Sequence, residues 1–218
     1  MPRSPRLEYP GATYHVTARG VQQGAIFIDD RDRATLLTIL TRVLGTHDVK
    51  ALAYCLMGNH YHFILQTRHA DLSLLMQRVN SLYGLTFNRR HARRGHLLEG
   101  RFKALHVDAD ADLLEVCRYV DLNPVRAGLV AAPAQWAWSS HLAHIGLARS
   151  PHWLDSAELH AALMGQVPMD DVQTEAARRR YADWVDAGRG VQRWEGSLRN
   201  GLYLGDEAFV KRMTMPSS

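Results

Sequence analysis

The sequence predicts an α+β protein: a ferredoxin-like (RRM-like) antiparallel sheet with helices on one face, plus a small helical appendage at the C-terminal end. Three observations predict it. Runs of alternating, β-branched and aromatic residues occur at Tyr14–Arg19, Val49–Leu56 and His60–Gln66. Leucines and valines recur at helical spacing after Asp30 and again after Asp71. The resulting order is β-α-β-β-α-β, followed by a further helix.

Taken in order, Tyr14-His15-Val16-Thr17-Ala18-Arg19 reads as a first strand, closed by Gly20 and a polar turn. Asp29 or Asp30 can cap a helix running to about Leu44, with Leu36, Leu37, Leu40 and Val43 on its apolar face. Val49–Leu56 and His60–Gln66 form a hairpin across Met57-Gly58-Asn59. Asp71 opens a long helix carrying Leu72, Leu75, Met76, Val79, Leu82 and Tyr83. Phe102–Val107 is a plausible fourth strand. A helix then runs from about Asp110 to Leu122, and Asn123-Pro124 is expected to end it. Residues 1–144 read as one domain and 145–218 as a helical extension. The extension contains an Arg-rich amphipathic helix over Glu175–Ala187, with Ala176, Tyr181, Trp184 and Val185 as apolar points.

At 218 residues, 46% hydrophobic and 22% charged, the chain has the composition of a soluble globular protein. Its net charge is +4. The charge is unevenly spread: Arg89, Arg90, Arg93, Arg94, Arg101 and Lys103 fall in one short stretch with a single acid, Glu99. Such a stretch can follow a phosphate backbone or form a solvated loop. Cys55 and Cys117 lie in apolar runs, so no disulfide framework is indicated and a reducing cytoplasm is expected. Neither an apolar signal core nor a membrane-length apolar span is present in the sequence.

The stretch Asn59-His60-Tyr61-His62-Phe63-Ile64-Leu65 is the most telling. Side chains alternate along a strand, so His60 and His62 share a face and can supply two imidazoles to a divalent cation. Paired strand histidines also occur for structural reasons, and a metal site needs a third ligand and a task. The helix Leu113–Asn123 offers both, because Tyr119 and Asn123 lie four apart on one face. The Asn123 amide oxygen can complete a site, and Tyr119 can act as a nucleophile on phosphorus. Equally, Tyr119 can pack its ring on the sheet and Asn123 can simply end the helix. His15 can face the same way or be a buried strand histidine. His141 and His144 read as surface residues, Trp136 and Trp138 as packing anchors.

Together these residues form a set. His60-Tyr61-His62 resembles the His-hydrophobe-His motif of HUH endonucleases. The stretch Arg118-Tyr119-Val120-Asp121-Leu122-Asn123-Pro124-Val125-Arg126-Ala127-Gly128-Leu129-Val130 resembles the tyrosine helix of REP-associated tyrosine transposases, single-tyrosine relatives within the IS200-like transposases. Gly95-His96-Leu97-Leu98-Glu99-Gly100-Arg101-Phe102-Lys103 resembles that family's basic segment. Tyr14-His15-Val16, Arg19-Gly20, Ile26-Phe27, Asp30, Pro133 and Trp138-Ser139-Ser140 fit its remaining pattern over roughly residues 5–142. The tail Gly205-Asp206-Glu207-Ala208-Phe209-Val210 is similar to the extension of longer members. Gly58 stands where the family has proline, and Val21 where it often has asparagine.

The resemblance implies a metal-dependent endonuclease and strand transferase acting on single-stranded or hairpin DNA. His60, His62 and Asn123 would hold Mg²⁺ or Mn²⁺, and Tyr119 would form a 5′-phosphotyrosine. Arg89, Arg90, Arg93, Arg94, Arg101 and Lys103 would contact DNA phosphates. Arg178, Arg179 and Arg180 would either grip a hairpin duplex or line a solvated face. Two alternatives stay open: a non-catalytic nucleic-acid binder, and a metal-dependent hydrolase that uses water. The sequence does not choose between monomer and homodimer.

Overall fold

Alternation and helical spacing produce the expected order of elements. A computed structural model describes residues 7–190, 198–199, 203–204 and 206–214. The strands are β1 (Thr13–Arg19), β2 (Val49–Leu56), β3 (His60–Thr67), β4 (Lys103–Val107), β5 (Leu198–Arg199) and β6 (Tyr203–Leu204). The helices are α1 (Asp30–Leu44), α2 (Leu72–Arg90), α3 (Leu113–Arg126), α4 (His141–His144), α5 (Ser156–Met164), α6 (Asp171–Ala187) and α7 (Glu207–Thr214). Among the described residues the sheet order is β2-β3-β1-β4-β6-β5. The first four strands pair antiparallel, and β6 joins β4 in parallel. The class is α+β.

Period-two alternation divides the sheet into two faces. Tyr14, Val16, Tyr61, Phe63 and Leu65 point to one face and pack with Leu36 and Leu40 of α1 and Leu75, Met76 and Val79 of α2. Cys55, Ile64 and Val107 point to the other and pack with Val116, Cys117 and Val120 of α3. The expected single helical face therefore holds for α1 and α2 only. The apolar stripe of α3 finds its complement on the opposite face, where the strands still offer small and branched side chains.

Local signals set the ends of these elements. The Asp29 carboxylate accepts from the Asp32 N–H at 3.2 Å and caps α1. Helix α3 does not stop at Asn123. It runs through Pro124 to Arg126, beyond the expected end at Leu122. Proline removes one backbone donor, and the neighbouring Ala127 N–H still reaches the Asn123 carbonyl at 2.9 Å.

The C-terminal segment shares the core of α3. Leu159, Tyr181, Val185 and Leu204 join Val116, Val120 and Leu122. Helix α6 starts at Asp171, and its buried small residue is Ala177, not Ala176. Arg178 and Arg179 pair with Glu175 on that helix. His141 and His144, expected at the surface, are buried beside Tyr181. Gly201, Leu202 and Gly205 of the tail lie outside the described residues. Asp206 accepts from the Phe209 N–H at 2.7 Å, opening α7.

Candidate active site

The hairpin places His60 and His62 two apart on β3, on the α3 side of the sheet, with ring centroids 4.9 Å apart. Strand β1 runs antiparallel beside β3, with Thr17 opposite His62 and Arg19 opposite His60. His15 is thus a diagonal neighbour of His62 on the same face. Its Nε2 lies 2.8 Å from His62 Nδ1. Above them Val116 and Val120 anchor α3, and Tyr119 turns its ring down onto the histidines. The Tyr119 centroid is 5.9 Å from that of His62 and 5.9 Å from that of His15, edge-on in both cases. The structure therefore brings Tyr119 together with His62 and His15 across three elements, with His60 beside His62. The tyrosine does pack its ring on the sheet, and what it packs against is a cluster of imidazoles.

Burial tunes these imidazoles. Desolvation lowers His15 and His60 to about 4, with Arg19 adding to the effect at His60. His62 is held well below its ordinary value, first by desolvation and then by His15, His60 and Arg19. All three rings are neutral near pH 7, the state in which an imidazole nitrogen can bind a cation. Among the described residues, buried His62 Nε2 has no hydrogen-bond partner. Asn59 Nδ2 donates to the Gln23 carbonyl at 3.0 Å, which turns Asn59 Oδ1 toward His60 Nδ1 at 2.7 Å. That oxygen can only accept, so His60 donates from Nδ1 and keeps a lone pair on Nε2.

Asn123 sits one turn beyond Tyr119 and donates from its amide nitrogen to the Tyr119 carbonyl at 3.0 Å. Its amide oxygen remains an acceptor. Among the described residues no group of three His, Cys, Asp or Glu side chains is arranged to hold a metal ion. His60 and His62 put two neutral imidazoles on one face, and imidazole nitrogen suits a borderline divalent cation.

Several residues of the site were not singled out in the sequence. Arg126, seven positions after Tyr119 and on its face, places its guanidinium carbon 5.2 Å from the Tyr119 ring centroid. Arg19 borders His60. The signal for both was present as strand and helix periodicity relative to His60 and Tyr119. Gly20 holds this corner together: its N–H reaches the Asn59 carbonyl at 2.9 Å, and a Cβ on it would lie 2.1 Å from the Gly24 carbonyl oxygen.

The basic segment docks at the same end of the sheet. The Val21 N–H donates to the Leu97 carbonyl at 3.1 Å and the Glu99 N–H to the Arg19 carbonyl at 2.8 Å. Lys103 stands opposite Thr17, which stands opposite His62, so lysine and histidine share one row and one face. Arg89, Arg93, Arg94 and Arg101 are exposed. Arg90 is different. Its guanidinium pairs with Asp29 at 2.5 Å and with Asp32, and His91 also contacts Asp32, at 3.0 Å. Burial pushes the Asp32 carboxyl up, but hydrogen bonds from His91, the Ile28 N–H and Arg90 bring it below its ordinary value. Arg90 thus joins α1 to α2, away from the histidine row.

On its other side α3 is tied to the C-terminal helices. The Arg118 guanidinium lies 4.2 Å from the Trp184 ring. Fully buried Asp121 accepts from Tyr181 Oη at 2.9 Å and from Ser140 Oγ at 3.0 Å. Both cysteines are buried and free. No described helix is long and apolar enough to cross a membrane.

Comparison with known proteins bears on the family and the fold. The family model described as "Transposase IS200 like" matches residues 8–123. Among solved structures, a REP-associated tyrosine transposase bound to a REP hairpin is similar in fold, with a TM-score of 0.57 and 16% identity, covering 71% of this chain and 92% of that one. A tRNA(His) guanylyltransferase from Saccharomyces cerevisiae matches at a TM-score of 0.33 and 14% identity, covering 74% of this chain and 80% of that one, which is too weak a likeness to argue from. No curated protein sequence matches the chain.

Proposed function

The chain belongs to the IS200-like transposase family, and on that premise we propose that it nicks and rejoins single-stranded DNA beside a hairpin, with Tyr119 as the nucleophile. The observation that carries the proposal is the edge-on contact of Tyr119 with His62, at 5.9 Å between ring centroids. A phenol packed on an imidazole pair, rimmed by Arg19, Arg126 and Lys103, suits in-line attack on a phosphodiester.

In the step proposed, the Tyr119 hydroxyl loses its proton to solvent and its oxygen bonds to phosphorus. The bond from phosphorus to the 3′-oxygen breaks, and that oxygen takes up a proton. The products are a 5′-phosphotyrosine and a free 3′-hydroxyl. The phosphotyrosine conserves the energy of the broken ester, so a 3′-hydroxyl can attack it and rejoin strands without ATP. His60, His62 and Asn123 would hold Mg²⁺ or Mn²⁺. When bound there, such a cation would neutralise charge developing on the non-bridging phosphate oxygens. Arg126 favours the phenolate by placing positive charge over its ring.

Arg89, Arg93, Arg94, Arg101 and Lys103 would follow the DNA backbone, with Arg90 contributing chiefly to the fold. Residues 1–144 would carry the chemistry in the cytoplasm, and residues 145–218 would buttress the tyrosine helix. The test is to incubate the protein with end-labelled single-stranded hairpin DNA and Mn²⁺. A denaturation-resistant protein–DNA adduct is expected. Cleavage without an adduct would point to attack by water, and a mobility shift without cleavage to a binding protein.

A further inference from the structure

Two imidazoles can each offer one nitrogen to a cation only if the proton of each ring sits on the other nitrogen. At His60 the Asn59 amide fixes this: Asn59 is oriented by the Gln23 carbonyl and accepts from His60 Nδ1 at 2.7 Å. His62 has a different neighbour. Its Nδ1 faces His15 Nε2 at 2.8 Å, with the two rings nearly parallel at 13°.

One of these two neutral rings must donate to the other. Burial does not choose the donor, because donation by His15 puts the His62 proton on buried Nε2 and donation by His62 puts the His15 proton on equally buried Nδ1. The cation reading does, because His15 occupies His62 Nδ1 and leaves only Nε2 to bind. If His62 donates, its Nε2 carries a lone pair, matching that of His60. We propose that His15 is a positioning residue: it accepts the Nδ1–H of His62 and so holds the His62 Nε2 lone pair ready for the cation. The proposal rests on the reading of His60 and His62 as cation ligands. A ligating histidine commonly donates its second nitrogen to an oxygen acceptor. Here a strand histidine, diagonal to it across β1 and β3, takes that role.

The test uses the full chain and two readouts that need no DNA cleavage. Long-range ¹H–¹⁵N correlation spectra of the metal-free protein report the His62 tautomer, and the expected result is a proton on Nδ1. Mn²⁺ titration followed by electron paramagnetic resonance reports affinity. His15→Phe keeps a ring for Tyr119 to pack on and removes the acceptor. It should weaken Mn²⁺ binding by roughly 10- to 100-fold. His15→Gln, whose side-chain oxygen can accept, should recover most of that loss. A His62 proton on Nε2 in the wild type overturns the proposal, and this readout needs no variant to fold. Equal Mn²⁺ affinity in wild type and His15→Phe, with binding lost in His60→Ala, overturns it while sparing the ligand reading. No Mn²⁺ binding by the wild type overturns both.

Discussion

The ring of Tyr119 meets the ring of His62 edge-on, with centroids 5.9 Å apart and planes at 82°. The contact joins a helix on one side of the sheet to a central strand. Val116 and Val120 pin α3 against Cys55 and Ile64, which leaves the phenol over the histidine row. Removing only the hydroxyl separates packing from chemistry. Tyr119→Phe keeps the buried ring and its edge-on contacts, so it should keep its melting temperature within a few degrees and its hairpin affinity within about two-fold. It should form no covalent adduct. Thermal melts, mobility shifts and adduct gels on one preparation check all three.

Arg126 places its guanidinium 5.2 Å from the same ring. A cation over a phenol is worth about 0.5–2 kcal/mol, more to the phenolate than to the phenol. Arg126→Leu should slow adduct formation by roughly 2- to 30-fold, taking about 1.4 kcal/mol per tenfold. It should also shift the rise in rate with pH upward. Arg126→Lys should recover part of the loss. Single-turnover rates between pH 6 and 9 measure both effects.

The basic residues divide into two groups by their partners. Lys103 lies on the histidine row and Arg101 is exposed two residues before it, whereas Arg90 is paired with Asp29 and Asp32. Arg101→Ala should weaken DNA binding and lower the slope of log affinity against log salt by about 0.7, the value for one phosphate contact on a single strand. Arg90→Ala should leave that slope unchanged and lower thermal stability, because it strips a partner from buried Asp32. Affinities at several salt concentrations, with melts of each variant, distinguish the two.

Acid should weaken the fold through its buried histidines. Desolvation lowers His144 to about 4, as it does His15 and His60. The folded state keeps such a ring neutral while the unfolded chain protonates it near its ordinary value of about 6.5. Stability present at pH 7 is therefore lost as pH falls from about 6.5 to about 4. Each histidine contributes a slope of up to about 1.4 kcal/mol per pH unit. Urea denaturation across this range should show the loss, and His144→Phe should flatten it by about one proton.

Much of this site was legible in the sequence because strands and helices impose fixed periods. Residues two apart on β3 had to share a face, and Tyr119, Asn123 and Arg126 had to share a stripe on α3. The side of the sheet that α3 covers was not legible, since both faces of the strands carry apolar residues. The partner of Arg90 was equally hidden: a charge run in sequence does not reveal that one member turns toward a capping aspartate and a buried one. Nor could His141 and His144 be recognised as buried, because their environment is made by Tyr181, a residue from a later helix. Helix α3 passes its expected end for a local reason, since proline forbids one hydrogen bond and not the remaining ones.

The most direct test of the tyrosine's role is to locate the covalent bond. Trypsin cleaving after Arg118 and after Arg126 releases the peptide Tyr119–Arg126, which contains the proposed nucleophile as its only tyrosine. After reaction with hairpin DNA, Mn²⁺ and nuclease trimming, mass spectrometry should find this peptide carrying a 5′-nucleotide on Tyr119. Nicked DNA with that peptide wholly unmodified, or with the nucleotide on another residue, would contradict the assignment.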